Sequence, residues 1–207
     1  MNGNNAIWDK LMTDETYAMI FNDYNKSIGN ALRTLSEQPQ RIQGRDKEID
    51  MLASIMERPK TPIAALVGEA GVGKTALMEE FIKQCNDGTV FSNNIDRKYV
   101  VLSLRLGSLS AMGVDKLQSI LTTIFDVLKE FETSARNLLQ DDSIRFILFI
   151  DEFHMLVTIF GPGTKVGGDV IKESLARSPI RVVAATTRKE YDSTIAVDEP
   201  LKQRFKI

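Results

Sequence analysis

The octapeptide GEAGVGKT, Gly68–Thr75, lies between the apolar run PIAALV and the segment ALMEEFIKQ, and no other stretch constrains the fold as much. Ile63 to Val67 is a short, unbroken apolar run of the kind that forms a strand buried on both faces. Beyond the glycines, Ala76, Leu77, Phe81 and Ile82 fall at helical spacing. A buried strand, a glycine-rich turn and an amphipathic helix in that order open a parallel α/β layer. Every fixed position of G-x-x-x-x-G-K-[ST] is filled, by Gly68, Gly73, Lys74 and Thr75, with Gly71 as an additional glycine. Glycines let the backbone bend until its N–H groups converge on phosphate oxygens, and the following helix turns its positive end toward them. In such a loop the lysine reaches the terminal phosphates and the threonine hydroxyl coordinates magnesium. Gly68, Glu69, Ala70, Gly71, Val72, Gly73, Lys74, Thr75 and Ala76 are therefore the candidate nucleotide-binding residues. A glycine turn that meets the pattern by chance is the alternative, and the strand before it and helix after it weigh against that.

The rest of the chain repeats the alternation. Tyr99–Arg105, Arg145–Asp151 and Ile180–Thr187 read as three more strands. Between the first two of these, Leu117, Ile120, Leu121, Ile124, Phe125, Leu128 and Phe131 recur at intervals of three and four, the clearest helix in the sequence. Ile49, Leu52, Ala53 and Met56 mark a helix ended by Pro59 and Pro62, a further helix is expected from about Asp169 to Arg177, and RFKI is expected to begin a last strand. This order gives an α/β fold with a mainly parallel sheet covered on both faces. Residues 1–40 precede it as one or two helices bearing Trp8, Leu11, Phe21, Tyr24 and Leu32, with a junction expected near Pro39; Trp8 is expected to pack on the domain. Residues 41–207 form the main domain.

Five apolar residues of FILFIDEFH carry Asp151 and Glu152 to the end of a buried strand. Ligands of open parallel sheets sit at the carboxyl ends of the strands, where the glycine loop also emerges. Asp151 then assists the magnesium shell and Glu152 polarises the attacking water. Acidic pairs also end strands at solvent without chemistry; the neighbouring loop favours the catalytic reading here. His154 is the only histidine, so a histidine-rich metal site is excluded, and a supporting role beside Glu152 is expected of it. The single cysteine, Cys85, excludes an intrachain disulfide and reads as a core residue; with no signal-like or membrane-spanning run, the cytoplasm is the expected compartment. A formal net charge of -2 gives no general attraction to nucleic acid or to an anionic membrane.

Taken in order, GRDKEID, VGEAGVGKT, LFIDEFHMLV and AATTRKEYDSTIAVDEPLKQRF resemble the AAA+ ATPases, specifically the first ATPase domain of Clp-type unfoldases and disaggregases, over about Arg41–Ile207. The resemblance implies a P-loop NTPase domain, three layers α/β/α around a five-stranded sheet, that uses ATP and Mg2+ and turns ATP over to ADP. It implies assembly into a ring, a hexamer when the helical lid is present, that acts on protein substrates, and it leaves a protease partner open. It places Ile42 and Gly44 against the adenine, makes Thr187 the polar sensor near the γ-phosphate, and makes Arg204 a finger reaching a neighbouring subunit's nucleotide. Thr187 could instead cap RKEY, and Arg204 could be an ordinary surface arginine. The family commonly has two arginines where this chain has Gln203 and Arg204, and an aromatic residue followed by glycine where this chain has LGSLSAMGVDK, with Met112 and Gly113 the nearest substitutes. The chain ends before the position of the lid, so a fragment is expected. A DNA-loading AAA+ module and an ATP-binding scaffold with little hydrolysis remain as alternatives.

Overall fold

The computed structural model describes residues 5–36, 42–60, 62–88, 97–160, 166–177 and 180–205. Two helices, α1 (Ala6–Thr13) and α2 (Glu15–Ser27), lead into β1 (Leu32–Thr34), α3 (Asp46–Met56), β2 (Ile63–Val67) and α4 (Lys74–Asn86). β3 (Lys98–Leu104), α5 (Leu106–Ser110), α6 (Val114–Leu139), β4 (Ile144–Ile150) and α7 (His154–Thr158) follow. The chain continues through α8 (Val166–Arg177), β5 (Arg181–Thr186), α9 (Arg188–Glu190), a π-helical turn (Tyr191–Ile195) and α10 (Glu199–Lys202).

The strands form one five-stranded sheet in the order β1-β3-β4-β5-β2, in which β2, β3, β4 and β5 are parallel and β1 is antiparallel to β3. Successive side chains of a strand point to opposite faces, and both faces here are buried. Val100, Leu102, Phe146, Leu148, Val182 and Ala184 join the core beneath α6 and the two leading helices. Tyr99, Val101, Ile147, Phe149, Val183 and Ala185 join the core beneath α3 and α4. The unbroken apolar runs thus serve two cores at once, which is the three-layer architecture.

The leading helices belong to this packing. Asn5 starts α1 by accepting from the Ile7 and Trp8 amides, and its Nδ2 donates to the Tyr99 carbonyl at 3.0 Å, tying the extension to the sheet. Trp8 meets Phe21 edge-on with centroids 4.7 Å apart and Phe146 at 6.5 Å. Two expectations are corrected here. RFKI does not open as a strand: Arg204 lies in a turn, and Phe205 is buried outside any strand, its ring 5.0 Å from that of Phe153. Lys206 and Ile207 lie outside the described residues, as does the junction expected near Pro39. The fifth strand comes instead from the leading segment, where buried Leu32 alternates with exposed Arg33 on the otherwise open edge of β3.

Candidate functional site

Because β2, β5 and β4 are parallel neighbours, their carboxyl ends open on one edge of the sheet. A cleft of about 510 Å3 lies there. Gly71, Gly73, Lys74 and Thr75 from the loop after β2 form one side, and Asp151 and Glu152 after β4 with Thr187 and Glu190 after β5 form the other. The two motifs that are far apart in sequence therefore face one space.

The loop owes its shape to its glycines. Gly71 (φ 76°) and Gly73 (φ 90°) lie in the left-handed region that disfavours side chains, and Gly73 sits immediately before the first residue of α4. The Gly68 amide donates to the Thr186 carbonyl at 3.2 Å and so joins the loop to β5. Lys74 folds back, its Nζ donating to the carbonyls of Gly68 at 2.9 Å and Glu69 at 3.0 Å.

On the opposite side Glu152 has φ 51°, a left-handed conformation that costs a residue with a Cβ about 1–2 kcal/mol. Backbone outliers of this kind gather at functional sites. Neighbours hold it: Asp151 Oδ1 accepts from the Glu152 amide at 2.9 Å, and buried Phe153 donates its amide to the Ala185 carbonyl at 3.0 Å. Both carboxylates remain exposed to the cleft.

Thr187 caps α9 in a reciprocal capping box. Its hydroxyl accepts from the Glu190 amide at 3.3 Å, while Glu190 Oε2 accepts from the Thr187 amide at 2.9 Å and from the Thr186 hydroxyl at 3.0 Å. The Thr187 amide, with the hydroxyls of Thr187 and Thr186 adding to it against partial burial, holds the Glu190 carboxyl below the usual glutamate range. His154 Nδ1 lies 3.2 Å from Glu190 Oε2 and 3.5 Å from Thr186 Oγ1. The polar neighbours of His154 are thus Glu190 and Thr186, and not Glu152 as the sequence suggested. Thr186 and Glu190 were not among the sequence candidates; the T-x-x-E spacing of a capping box was the signal that could have found Glu190.

A second cavity of about 240 Å3 shares Gly73 and Lys74 with the first. Leu52, Ile55, Leu66, Val72 and Leu77 give it an apolar wall, and Arg45 and Glu48, paired at 2.9 Å, lie at its edge. A flat heterocycle next to a phosphate chain suits such a wall. Ile42 and Gly44 line neither cavity: the Ile42 amide donates to Glu80 Oε2 at 3.2 Å, and Gly44 is exposed. Arg204 lines neither cavity either. It is half-buried just beyond α10; its amide donates to the Leu201 carbonyl at 3.1 Å, and its side chain has no hydrogen bond or ion pair among the described residues. Buried Leu201 and Phe205 hold that segment in place, with Asp198, which caps α10 and accepts from Lys172 Nζ at 2.9 Å. Met112 does not project into the open. It is half-buried, packed on the core beside Gly29, and the large apolar residue exposed in that interval is Val114.

Among the described residues no three His, Cys, Asp or Glu side chains gather into a cation cage. Thr75 and Asp151 on facing walls of the cleft fit a magnesium ion that takes few protein oxygens and completes its shell with phosphate and water. Cys85 packs against the core beneath α3 and α4, and burial pushes its thiol well above the ordinary range. Among the described residues no helix is long and apolar enough to cross a membrane.

A family model described as AAA ATPase domain matches residues 41–158, more than half of the chain. The chain is 37% identical over 170 residues to the AAA+ ATPase ClpV1 of Pseudomonas aeruginosa, covering 80% of this chain and 17% of that protein. It is 32% identical over 192 residues to the chaperone protein ClpB of Mycoplasma pneumoniae, covering 88% of this chain and 25% of that protein. Among solved structures, the extended conformation of the Saccharomyces cerevisiae Hsp104:casein complex matches with a TM-score of 0.65 and 29% identity, covering 86% of this chain and 29% of that one. The chain spans a quarter or less of the length of these two curated relatives.

Proposed function

Because the chain belongs to the AAA ATPase domain family, we propose that it binds ATP with magnesium in the cleft between the glycine loop and the acidic turn, and hydrolyses it to drive remodelling or unfolding of protein substrates. The observation that carries this reading is the convergence of Lys74 and Thr75 with Asp151 and Glu152 on one space.

The chemistry follows from the geometry. The loop amides and the first turn of α4 receive the phosphates, and Lys74 exchanges its bonds to Gly68 and Glu69 for the terminal phosphate oxygens. Thr75 and Asp151 would hold the magnesium ion, which when bound offsets phosphate charge. Glu152, exposed at the end of β4, orients and polarises the attacking water, and Thr187 supplies a hydroxyl beside it. The apolar wall of Leu52, Ile55 and Leu77 takes the base.

Arg204 lies apart from its own cleft, which suits a cation acting on a neighbouring subunit's nucleotide in a ring, taken as a cytoplasmic hexamer with or without a protease partner. Arginines supplied in this way accelerate hydrolysis by about a thousandfold or more. ClpB and Hsp104 relatives, one of the latter in complex with casein, support a polypeptide substrate. Met112 is packed on the core, so a grip on that substrate falls to other residues.

Glu152→Gln tests the reading. The substitution removes the base and keeps the shape, so ATP turnover disappears while binding of a fluorescent ATP analogue persists. An unchanged turnover rate refutes the assignment.

A further inference from the structure

Thr187, just past the end of β5, has two roles open to it, capping a helix and contacting a phosphate, and the hydrogen bonds around it make them one role. In the capping box Thr187 Oγ1 accepts the Glu190 N–H at 3.3 Å. One lone-pair direction of the hydroxyl is occupied, and the rotamer that forms this bond is selected. The hydroxyl proton then has two places to turn: the Glu190 carboxylate, or an acceptor inside the cleft that Thr187 and Glu190 both line. Glu190 Oε2 itself accepts two hydrogen bonds, from the Thr187 amide at 2.9 Å and from the buried Thr186 hydroxyl at 3.0 Å, and His154 Nδ1 lies 3.2 Å from it. His154 is the first residue of α7, two positions after Glu152. The carboxylate therefore sits between the end of β5 and the segment that carries Glu152.

We propose that the Glu190 side chain is a positioning group for ATP hydrolysis: by accepting from the Thr187 amide it fixes the backbone from which the Thr187 hydroxyl, oriented by the backbone N–H of residue 190, donates toward the terminal phosphate or the attacking water, and it sets the place of that hydroxyl relative to Glu152. The proposal rests on the ATPase reading above. Glu190 acts through Thr187, so its removal and the removal of the Thr187 hydroxyl disable the same interaction. Supporting partners of this kind typically contribute about 10- to 100-fold.

The test is a double-mutant cycle in the full-length protein. ATP turnover and binding of a fluorescent ATP analogue are measured for wild type, Glu190→Ala, Thr187→Ala and the double variant, with thermal melting to establish folding. Glu190→Ala lowers kcat about 10- to 100-fold with KM and analogue affinity within about threefold of wild type. In the Thr187→Ala background the same change has no further effect on kcat. Glu190→Gln keeps both hydrogen bonds of the capping box and recovers most of the loss, and it carries the test if Glu190→Ala fails to fold. Equal kcat for Glu190→Ala and wild type overturns the proposal, as does a multiplicative loss in the double variant, which would mean that Glu190 does not work through Thr187. No turnover by wild-type protein overturns the ATPase reading itself, an outcome distinct from either of these.

Discussion

Glu132 offers the sharpest test of how the site is held. Its side chain lies on α6 entirely out of solvent. Oε1 accepts from Lys129 Nζ at 2.7 Å and from the Arg136 guanidinium, Oε2 accepts from the Phe146 amide at 2.7 Å, and Arg181 Nη1 lies 3.8 Å away. Phe146 belongs to β4, whose far end delivers Asp151, so one carboxylate fastens α6 to the strand that carries the acidic turn. Glu132→Ala leaves the cations and the buried Phe146 N–H without their acceptor, a change that generally costs about 3–5 kcal/mol. Lys129 and Arg136 keep 35% and 23% of their side-chain surface in water. Solvent therefore takes up part of their charge, and the lower end, about 3 kcal/mol, applies. With a urea dependence of about 2 kcal/mol/M, the unfolding midpoint falls by about 1.5 M. Lys129→Met leaves Arg136 and Arg181 as counter-charges and costs under about 1 kcal/mol. The effect also has a pH signature. Burial alone would raise the Glu132 carboxyl, but the Lys129 and Phe146 hydrogen bonds and the nearby charges of Lys129 and Arg181 outweigh it and hold the carboxyl below the ordinary glutamate value. A folded-state pKa below the unfolded one gives stability that is complete above the unfolded value, about 4.3, and is lost as pH falls from there through the folded value. The stability gap between wild type and Glu132→Ala therefore narrows on acidification through that window. Urea titrations at neutral pH and at intervals below pH 5 measure both effects. A midpoint shift under about 0.5 M at neutral pH, or an equal loss in Lys129→Met, refutes the reasoning.

Three further outcomes follow from particular contacts. Gly73→Ala meets open space, its nearest neighbour being Ala76 Cβ at 3.9 Å, so its cost is the left-handed backbone alone. The loop shifts by about 1–2 kcal/mol of strain, and titration with a fluorescent nucleotide shows affinity about tenfold weaker; an unchanged Kd rejects the need for that conformation. Gly167→Ala brings a Cβ to 2.5 Å from the Leu156 carbonyl oxygen, where α8 crosses α7, and thermal melting registers a loss of about 1–3 kcal/mol as a Tm lower by several degrees. Mixing Arg204→Ala subunits into wild type at constant total concentration lowers turnover more steeply than in proportion to the wild-type fraction, whereas a strictly proportional fall excludes action on a neighbour.

What could be read from the chain and what could not divide along physical lines. The strands that hold the site were legible because burial on both faces forces unbroken apolar runs such as IAALV and FILFI, and their carboxyl ends locate the cleft without further information. That Lys74, Thr75, Asp151 and Glu152 meet at one cleft was legible because the apolar runs before them fix their positions at the strand ends. β1 was not, since three residues on an edge need only Leu32 to face inward, and their pairing depends on β3 offering an open edge some seventy residues later. The placement of Met112 was not legible for a related reason: whether a flexible apolar side chain faces solvent or core is decided by what stands opposite, here Gly29 from the leading segment, and not by its own neighbours in sequence. Glu190 shows the remaining limit. The sequence T-x-x-E is enough to suggest a cap, but a cap joins the proposed site only when the sheet order sets β5 between β4 and β2, so that Thr187 shares a cleft with Glu152 after one neighbour and Lys74 after the other. The same sheet order explains why Thr187 need not be assigned to stability or to catalysis alone, because the hydrogen bond that ends the strand is also the one that fixes the direction of its hydroxyl.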